Sequence, residues 1–526
     1  MTNLPKRQAL FVWIAAIVVF AVLHAINLTA DFPNHTPWFC DWAKYTDEGW
    51  YGNAAIRTLL SGHWYVKGDF NPLPAVPVWQ VLEYLVFSVT GVSILAARGL
   101  AISFFFANLF LSYKLLRLKA ARWVALLALT LIVTSPFLYA FSRLAILEPI
   151  LTASMLVQLN LMGRLDRFRR PILISAACGL LFTLMMLTKT TAVFLLPALG
   201  WMLFATLWRN RRLAVKCALA AGSTFALTFG AYMAVIIHAG LLDDYRYFFF
   251  INDYVKPEEW YWPLWAFWWT FHGTLWIDLV LLPLAGILIL LAFVACKTGW
   301  GRKLWGNPLF GTSILAIAGY IFFMTYQNHP QPRYYAVVAF FAFFAAVLGI
   351  EALLGAGKGS RSWRLGQMGL AVAVAAALGN GAQTLNFVLH PEFTWINAAR
   401  QLTSYIDQHP NGKRLLVSIS GDEITMMSHL PSLCDDFGTQ DLATKLADYQ
   451  PGWYAAWNDL DPGTLEDIHT HYWLEQVASF HALDDPERNV LVLFKLHPLK
   501  HGAIREPGEQ NLQVELPDDK FEVDIE

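Results

Sequence analysis

The sequence predicts an all-α polytopic membrane protein, with about eleven transmembrane helices and interfacial helices in its first outer loop, followed by a small C-terminal α/β soluble domain. Three observations carry this. Of 526 residues, 56% are hydrophobic and 15% charged, whereas a soluble domain is about a quarter charged, so a water-soluble enzyme is excluded. The apolar residues come in runs of roughly 20, the length of helix that crosses a bilayer. After His390 the composition turns abruptly to that of a soluble domain. A net charge of −1 gives no global attraction to nucleic acid. The five cysteines (Cys40, Cys178, Cys217, Cys296, Cys434) lack metal-type spacing and give no disulfide or zinc framework.

Taken in order, Lys6 and Arg7 precede an apolar run from Ala9 to Leu28. It is too long for a signal-peptide core and has no small-x-small cleavage site, so an uncleaved first span is expected. Later runs fall near 94–113, 122–141, 149–163, 171–188, 190–208, 214–240, 274–295, 308–326, 334–354 and 367–389. The stretch 76–92 is also apolar, and the basic loops decide how it lies. Lys114, Arg117, Lys119 and Arg122 form one cluster, Arg164, Arg167, Arg169 and Arg170 a second, and Arg209, Arg211, Arg212 and Lys216 a third. Lys297, Arg302 and Lys303 follow, then Lys358, Arg361 and Arg364. All fall on the cytoplasmic side only if 76–92 does not cross. With Glu83 inside it and Pro72, Pro74 and Pro77 before it, that stretch reads as a helix in the membrane interface.

The outer side then receives a long first loop (about 30–93), the junction from Arg143 to Glu148, an aromatic loop (about 241–273) and the chain from His390 on. Within the tail, Thr394 to Gln408 has a helical pattern, Arg414 to Ile419 reads as a strand, Thr439 to Tyr449 as a helix and Val490 to Leu496 as a buried strand. The expected domains are 1–389 in the membrane, 390–501 outside it, and an acidic disordered tail over 502–526. Cys40 and Cys434 both fall on the outer side, where a bond and two free thiols are equally compatible with the sequence. Asn34-His35-Thr36 is a sequon of a kind common by chance. No internal repeat is found.

Candidate chemistry lies on the outer side. In Tyr45-Thr46-Asp47-Glu48-Gly49-Trp50-Tyr51, the two acids are either a capping pair for the helix that starts there or a general base or cation ligand at the water–lipid boundary. In Phe141-Ser142-Arg143-Leu144-Ala145-Ile146-Leu147-Glu148-Pro149, Pro149 suits a first helical turn, so Glu148 sits at a helix edge and Arg143 closes the preceding helix. Their spacing does not suit an intrahelical ion pair, although a snorkelling Arg beside a capping Glu would look the same. Lys189 is the one basic residue between two apolar runs, a functional candidate or a snorkelling side chain. The loop over 241–276 is dense in aromatics from Tyr245 to Trp276, with Asp253, Glu258, Glu259 and His272 among them. An aromatic belt explains much of this density, and a cover over a lipid tail and a sugar explains it as well. Arg333, with Tyr334 and Tyr335 after it, is a cation at the outer end of a span, against the inside-positive rule. Cations at that depth suit a phosphate whose lipid stays in the bilayer, and carboxylates suit deprotonation of an acceptor from water.

At these residues the chain resembles the GT-C superfamily of membrane glycosyltransferases, in the branch of the dolichyl-phosphate-mannose–protein mannosyltransferases and the lipid A aminoarabinose transferases. The resemblance rests on Asp47-Glu48-x-x-Tyr51 before an interfacial helix and Gly62, and on a Pro-rich lead into a second apolar helix ending at Gly91 with Arg98 after it. It continues through Arg143-x4-Glu148, Leu187-Thr188-Lys189 and Pro332-Arg333-Tyr334, in that order over about 20–340. The family usually has Asp where this chain has Glu148, and Lys-Pro or Pro-Pro where it has Asn71-Pro72. The resemblance implies an inverting single displacement from a polyprenyl-phosphate sugar onto a protein, lipid or glycan acceptor. Asp47 is then the base, Glu48 and Glu148 are supporting acids, and Arg143, Lys189 and Arg333, with His272 and Tyr334, hold the donor phosphate. A divalent cation at Asp47 or Glu148 would share in neutralising it. A bacterial inner membrane, with the site facing the periplasm, is the expected location. A transporter or flippase of lipid-linked sugars would need similar charges, but with repeats and mid-span charges that are not seen.

Overall fold

The computed structural model describes residues 6–33, 41–248, 262–327, 330–435, 437–483, 485 and 488–499. The expectations on the sequon, on Cys40, on the acids and aromatics over 249–261 and on the acidic tail from 502 lie outside them. The helices run α1 (Lys6–Leu23), α2 (Asp47–Ser61), α3 (Pro77–Thr90), α4 (Ile94–Leu116), α5 (Arg122–Thr134), α6 (Pro136–Arg143) and α7 (Glu148–Met162). Then come α8 (Pro171–Met186), α9 (Leu196–Thr206), α10 (Arg211–His238), α11 (Leu242–Arg246), α12 (Trp262–Gly273), α13 (Leu281–Val294) and α14 (Gly299–Trp305). The apolar part ends with α15 (Pro308–Gln327), α16 (Tyr335–Leu354) and α17 (Arg361–Leu389). The tail holds α18 (Thr394–Gln408), α19 (Gly421–Ser428), α20 (Leu442–Tyr449) and α21 (Pro462–His469), with strands β1 (Lys413–Val417), β2 (Ser432–Leu433), β3 (Pro451–Trp457), β4 (Tyr472–His481) and β5 (Val490–Pro498). The chain divides into two compact units.

The first unit comprises Met1–Leu28, Leu73–Val86 and Leu95–Pro391. Among the described residues, five helices are long and apolar enough to cross a membrane, or seven if each of two bent pairs is one span. Every predicted apolar run carries a helix, but breaks leave fewer than eleven that meet the length test. The reason at 122–141 is Pro136. It forces Ser135 into an extended conformation, whose side chain then caps α6 by accepting from Leu138 N, and α5 and α6 meet at 68°. α16 is apolar all round and sits at the centre, packed by α5, α7, α13, α15 and α17. α10, by contrast, exposes Leu219, Leu227 and Val235, as a helix at the lipid boundary does. α3 is 14 residues long, roughly 21 Å, too short for a hydrocarbon core of about 30 Å. It buries Trp79, Gln80 and Glu83 while exposing Val81, Tyr84 and Leu85, the two-faced pattern of an interfacial helix.

The second unit joins Thr29–Pro72 and Phe87–Ile94 to the chain from Glu392 on. Its sheet has the order β2-β1-β3-β5-β4, parallel from β2 to β3 and antiparallel from β3 to β4. Alternation along β3 divides two cores: Trp453, Ala455 and Trp457 pack with α18, and Tyr454 and Ala456 with α20 and α21. The α/β tail is thus as predicted, with three strands, β2, β3 and β4, that the sequence did not yield. β3 opens on Pro451-Gly452, a turn signature, and β4 mixes polar residues into its pattern. The predicted helix from Thr439 starts at Leu442, because Asp441 caps it by accepting from Thr444 N at 2.7 Å. The first loop is built into this unit. Asp31 accepts from Thr394 N at 2.7 Å and Trp395 N at 3.2 Å, capping α18, whose own cap position is Phe393.

Candidate functional site

In the first unit the predicted Lys189 and Glu148 form a buried ion pair, although 41 residues separate them. Local structure delivers both. Pro149 fixes the first turn of α7 and sets Glu148 at its head. Lys189 falls in the extended break between α8 and the 3₁₀ turn Thr190–Leu195. The Lys189 ammonium lies 4.3 Å from the centre of the Tyr334 ring, and the Arg333 guanidinium 5.0 Å from the same ring. Arg333 and Tyr334 occupy a 3₁₀ turn, Pro332–Tyr334, that leads into α16. Behind the pair, Thr191 Oγ1 and Tyr320 Oη are 3.1 Å apart. The second Glu148 oxygen, Oε2, is buried without a hydrogen-bond partner among the described residues.

Arg143 closes α6 as expected, donating to the Tyr139 hydroxyl and the Asn27 carbonyl with its guanidinium 4.5 Å from the Tyr139 ring centre. The neighbouring Ser142 hydroxyl is 3.1 Å from His24 Nδ1, while His24 Nε2 is 3.0 Å from the Val133 carbonyl oxygen and the ring stacks on Phe105. His24 was missed by the sequence reading, although a lone histidine in an apolar run is a visible signal. His272 lies on an exposed face of α12, its ring 6.3 and 6.2 Å from those of Trp268 and Trp269, and is not brought into the Lys189–Glu148–Tyr334 group.

Asp47 and Glu48 belong to the second unit, in the first turn of α2, and both are buried. Thr46 is the N-cap residue and makes no side-chain capping bond; its hydroxyl donates to Trp42 O at 3.0 Å and to Asp47 Oδ1 at 3.4 Å. Asp47 is therefore not the cap. As first-turn anions the two acids are favoured by the helix dipole.

The second unit also holds a buried charge cluster that the sequence did not reveal. Arg57 Nη2 donates to Asp69 Oδ2 at 2.7 Å and to Asp422 Oδ1 at 3.1 Å. Asn53 Nδ2 donates to Asp422 Oδ2 at 3.2 Å, Cys434 N to Asp69 Oδ1 at 3.0 Å, and Lys445 Nζ lies 3.6 Å from Asp69. Burial pushes the Asp422 carboxyl up to about 6, against the opposing pull of Arg57. Burial also works against the Arg57 charge, yet Asp422 and Asp69 hold its pKa above the ordinary arginine value. Cys434 is a buried free thiol, lifted by burial.

The two residues weighed as cation ligands, Asp47 and Glu148, lie in different units. Among the described residues no three His, Cys, Asp or Glu side chains converge as a metal site. Glu148 gives one oxygen to Lys189, which leaves Oε2 as the acceptor it could turn to a cation.

No family model and no curated relative matches the sequence. Solved structures do resemble it. The crystal structure of ArnT from Cupriavidus metallidurans bound to undecaprenyl phosphate superposes with a TM-score of 0.60 at 13% identity, covering 93% of this chain and 98% of that one. The archaeal oligosaccharyltransferase AglB from Archaeoglobus fulgidus, in complex with an inhibitory peptide and a dolichol-phosphate, gives 0.50 at 12% identity over 85% and 69% of the two chains. The Archaeoglobus fulgidus enzyme in complex with Zn and sulfate also gives 0.50 at 12%, over 90% and 72%. These are GT-C glycosyltransferases, with ArnT in the aminoarabinose transferase branch, and the chain has their fold.

Proposed function

We propose that this chain is a membrane glycosyltransferase that moves a sugar from a polyprenyl-phosphate donor to an acceptor by an inverting single displacement. The observation that carries this reading is the buried Lys189–Glu148 pair, stacked with Arg333 on Tyr334, in a fold shared with a protein solved with undecaprenyl phosphate. As the bond from the anomeric carbon to the phosphate oxygen breaks, carbon gains oxocarbenium character and oxygen gains negative charge. Lys189 is held by Glu148 and by the Tyr334 ring, so its charge is fixed in place and does not need to reorganise as that negative charge appears. Arg333 and Arg143 add fixed positive charge for the same phosphate. Asp47 takes the proton of the attacking acceptor hydroxyl or amine, while Glu48 supports it from the same helical turn.

The acceptor is a protein, lipid or glycan on the outer face, and the location a bacterial inner membrane with the site toward the periplasm. The zinc-containing Archaeoglobus structure is the support for a divalent cation, and no step above uses one. The reading is tested by incubating proteoliposomes holding the full chain with a pool of radiolabelled undecaprenyl-phosphate sugars and an acceptor extract from the same cells. Transfer predicts label on an acceptor together with free undecaprenyl phosphate. Label that crosses the bilayer still attached to lipid would favour a flippase instead.

A further inference from the structure

The cluster around Arg57 grips one face of α2. Gly49, Asn53 and Arg57 are spaced i, i+4, i+8, which sets them in one stripe along the helix. At the first position, a Cβ on Gly49 would lie 2.2 Å from Glu423 N, so glycine alone lets α2 approach the α19 backbone this closely. Trp50 Nε1 beside it donates to Ile419 O at 3.1 Å. At the second, Asn53 donates to Asp422 and also to Phe70 O at 2.7 Å. At the third, Arg57 bridges Asp422 of α19 and Asp69. Asp69 sits in a turn stitched by Asn71, which donates to Val66 O at 2.8 Å and accepts from Val66 N at 3.2 Å. Lys445 holds the far side of that turn's partner loop through the carbonyls of Cys434, Asp435 and Phe437. Asp47 lies about 120° around the helix from the middle of the gripped stripe, so it is not one of the side chains that make the grip.

We infer that the C-terminal domain is the holder of the base-bearing helix: Asp422, Arg57 and Asp69 are positioning residues that fix α2, and through it Asp47. The inference rests on the reading of Asp47 as the base. It gives the domain a task that an anchor or a separate binding module would not have.

Asp422→Asn is the variant that tests this in a folded protein. Asn keeps the shape and one acceptor, and Arg57 keeps Asp69. The folded unit accommodates a neutral side chain here, because burial has lifted Asp422 from 3.8 to about 6. By linkage, the stability Asp422 contributes is fully present below pH 3.8 and lost as pH rises through about 6, and the substitution removes that loss. The groups facing Asp422 are Arg57 and Asn53 from α2 and Asp69 from the turn, with Lys445 beyond Asp69 and Glu423 beside it in α19.

The measurement uses full-length protein in proteoliposomes, with turnover of a saturating pool of radiolabelled undecaprenyl-phosphate sugars per folded molecule, binding of undecaprenyl phosphate, and Asp47→Asn alongside. The expected result is turnover lower by roughly 10-fold at pH 7 in Asp422→Asn, with undecaprenyl phosphate bound as in wild type. The gap between wild type and variant should close as pH falls through about 6, where wild-type Asp422 becomes neutral too. Gly49→Ala, which moves α2 off α19 without touching a charge, should lower turnover by a similar factor at every pH. Wild-type turnover in Asp422→Asn and Gly49→Ala beside an inactive Asp47→Asn would overturn the inference and leave the base reading standing. So would loss of folded Asp422→Asn from the membrane, since the cluster would then hold the fold rather than the helix. An active Asp47→Asn instead sinks the base reading itself.

Discussion

Each unit buries charges, and the two sets are built differently. In the second unit Asp69 and Asp422 each meet Arg57 and a further N–H donor, and Lys445 donates to three carbonyls. In the first unit Glu148 spends one oxygen on Lys189, and its other oxygen is buried without a partner among the described residues. A buried network with its partners satisfied can hold elements together but has little left for a ligand. In the sparse pair the second Glu148 oxygen is still to offer, at a cost in stability that function can explain. The contrast separates a clasp from a site.

The comparison breaks first at Arg57. Removing one member of a buried charge set leaves the others uncompensated, so Arg57→Met should lower the unfolding free energy by about 3–5 kcal/mol. Thermal unfolding of the detergent-purified protein reads this, and an unchanged transition would show that the cluster clasps nothing. Lys189→Ala leaves the buried Glu148 without its cation and should lower the transition too, but what sets it apart is turnover per folded molecule, cut by on the order of 100-fold, the loss of one pre-oriented donor to the leaving phosphate. Turnover at the wild-type level would reduce Lys189 to a snorkelling side chain. Glu148→Gln keeps a hydrogen-bond acceptor for Lys189 but loses the charge that steadies it, and a fall of about 10-fold, between wild type and Lys189→Ala, is expected from the same assay. A loss equal to that of Lys189→Ala would mean that Glu148 acts in its own right.

What the sequence disclosed follows the range of the interactions. Apolar runs report burial locally, and each predicted run carries a helix, while Pro136 and the break at Lys189 shorten several through chemistry that hydropathy does not register. Lys189 stood out because a lone cation between apolar runs needs a reason. Glu148 stood out as well, at the head of a helix, but its pairing with Lys189 did not, since it spans 41 residues and depends on how α7 and α8 pack. Arg57 lay within the recognised loop and went unread, because Asp422 is 365 residues away. The Gly49, Asn53, Arg57 stripe was its one local trace, and a stripe of that kind gains meaning only beside a partner helix. Strand β3 was hidden by Pro451-Gly452, a turn signature that here opens a fully buried strand.

The central claim is that a carboxylate on a clasped helix deprotonates the acceptor. Asp47→Asn tests it most directly, with transfer from the radiolabelled undecaprenyl-phosphate sugar pool and binding of undecaprenyl phosphate measured on one preparation. Asp47 is not the cap of α2, and Asn keeps its size and an acceptor for the Thr46 hydroxyl, so the protein should stay folded. The account predicts no detectable transfer with undecaprenyl phosphate bound as tightly as in wild type, and transfer near the wild-type rate would contradict it.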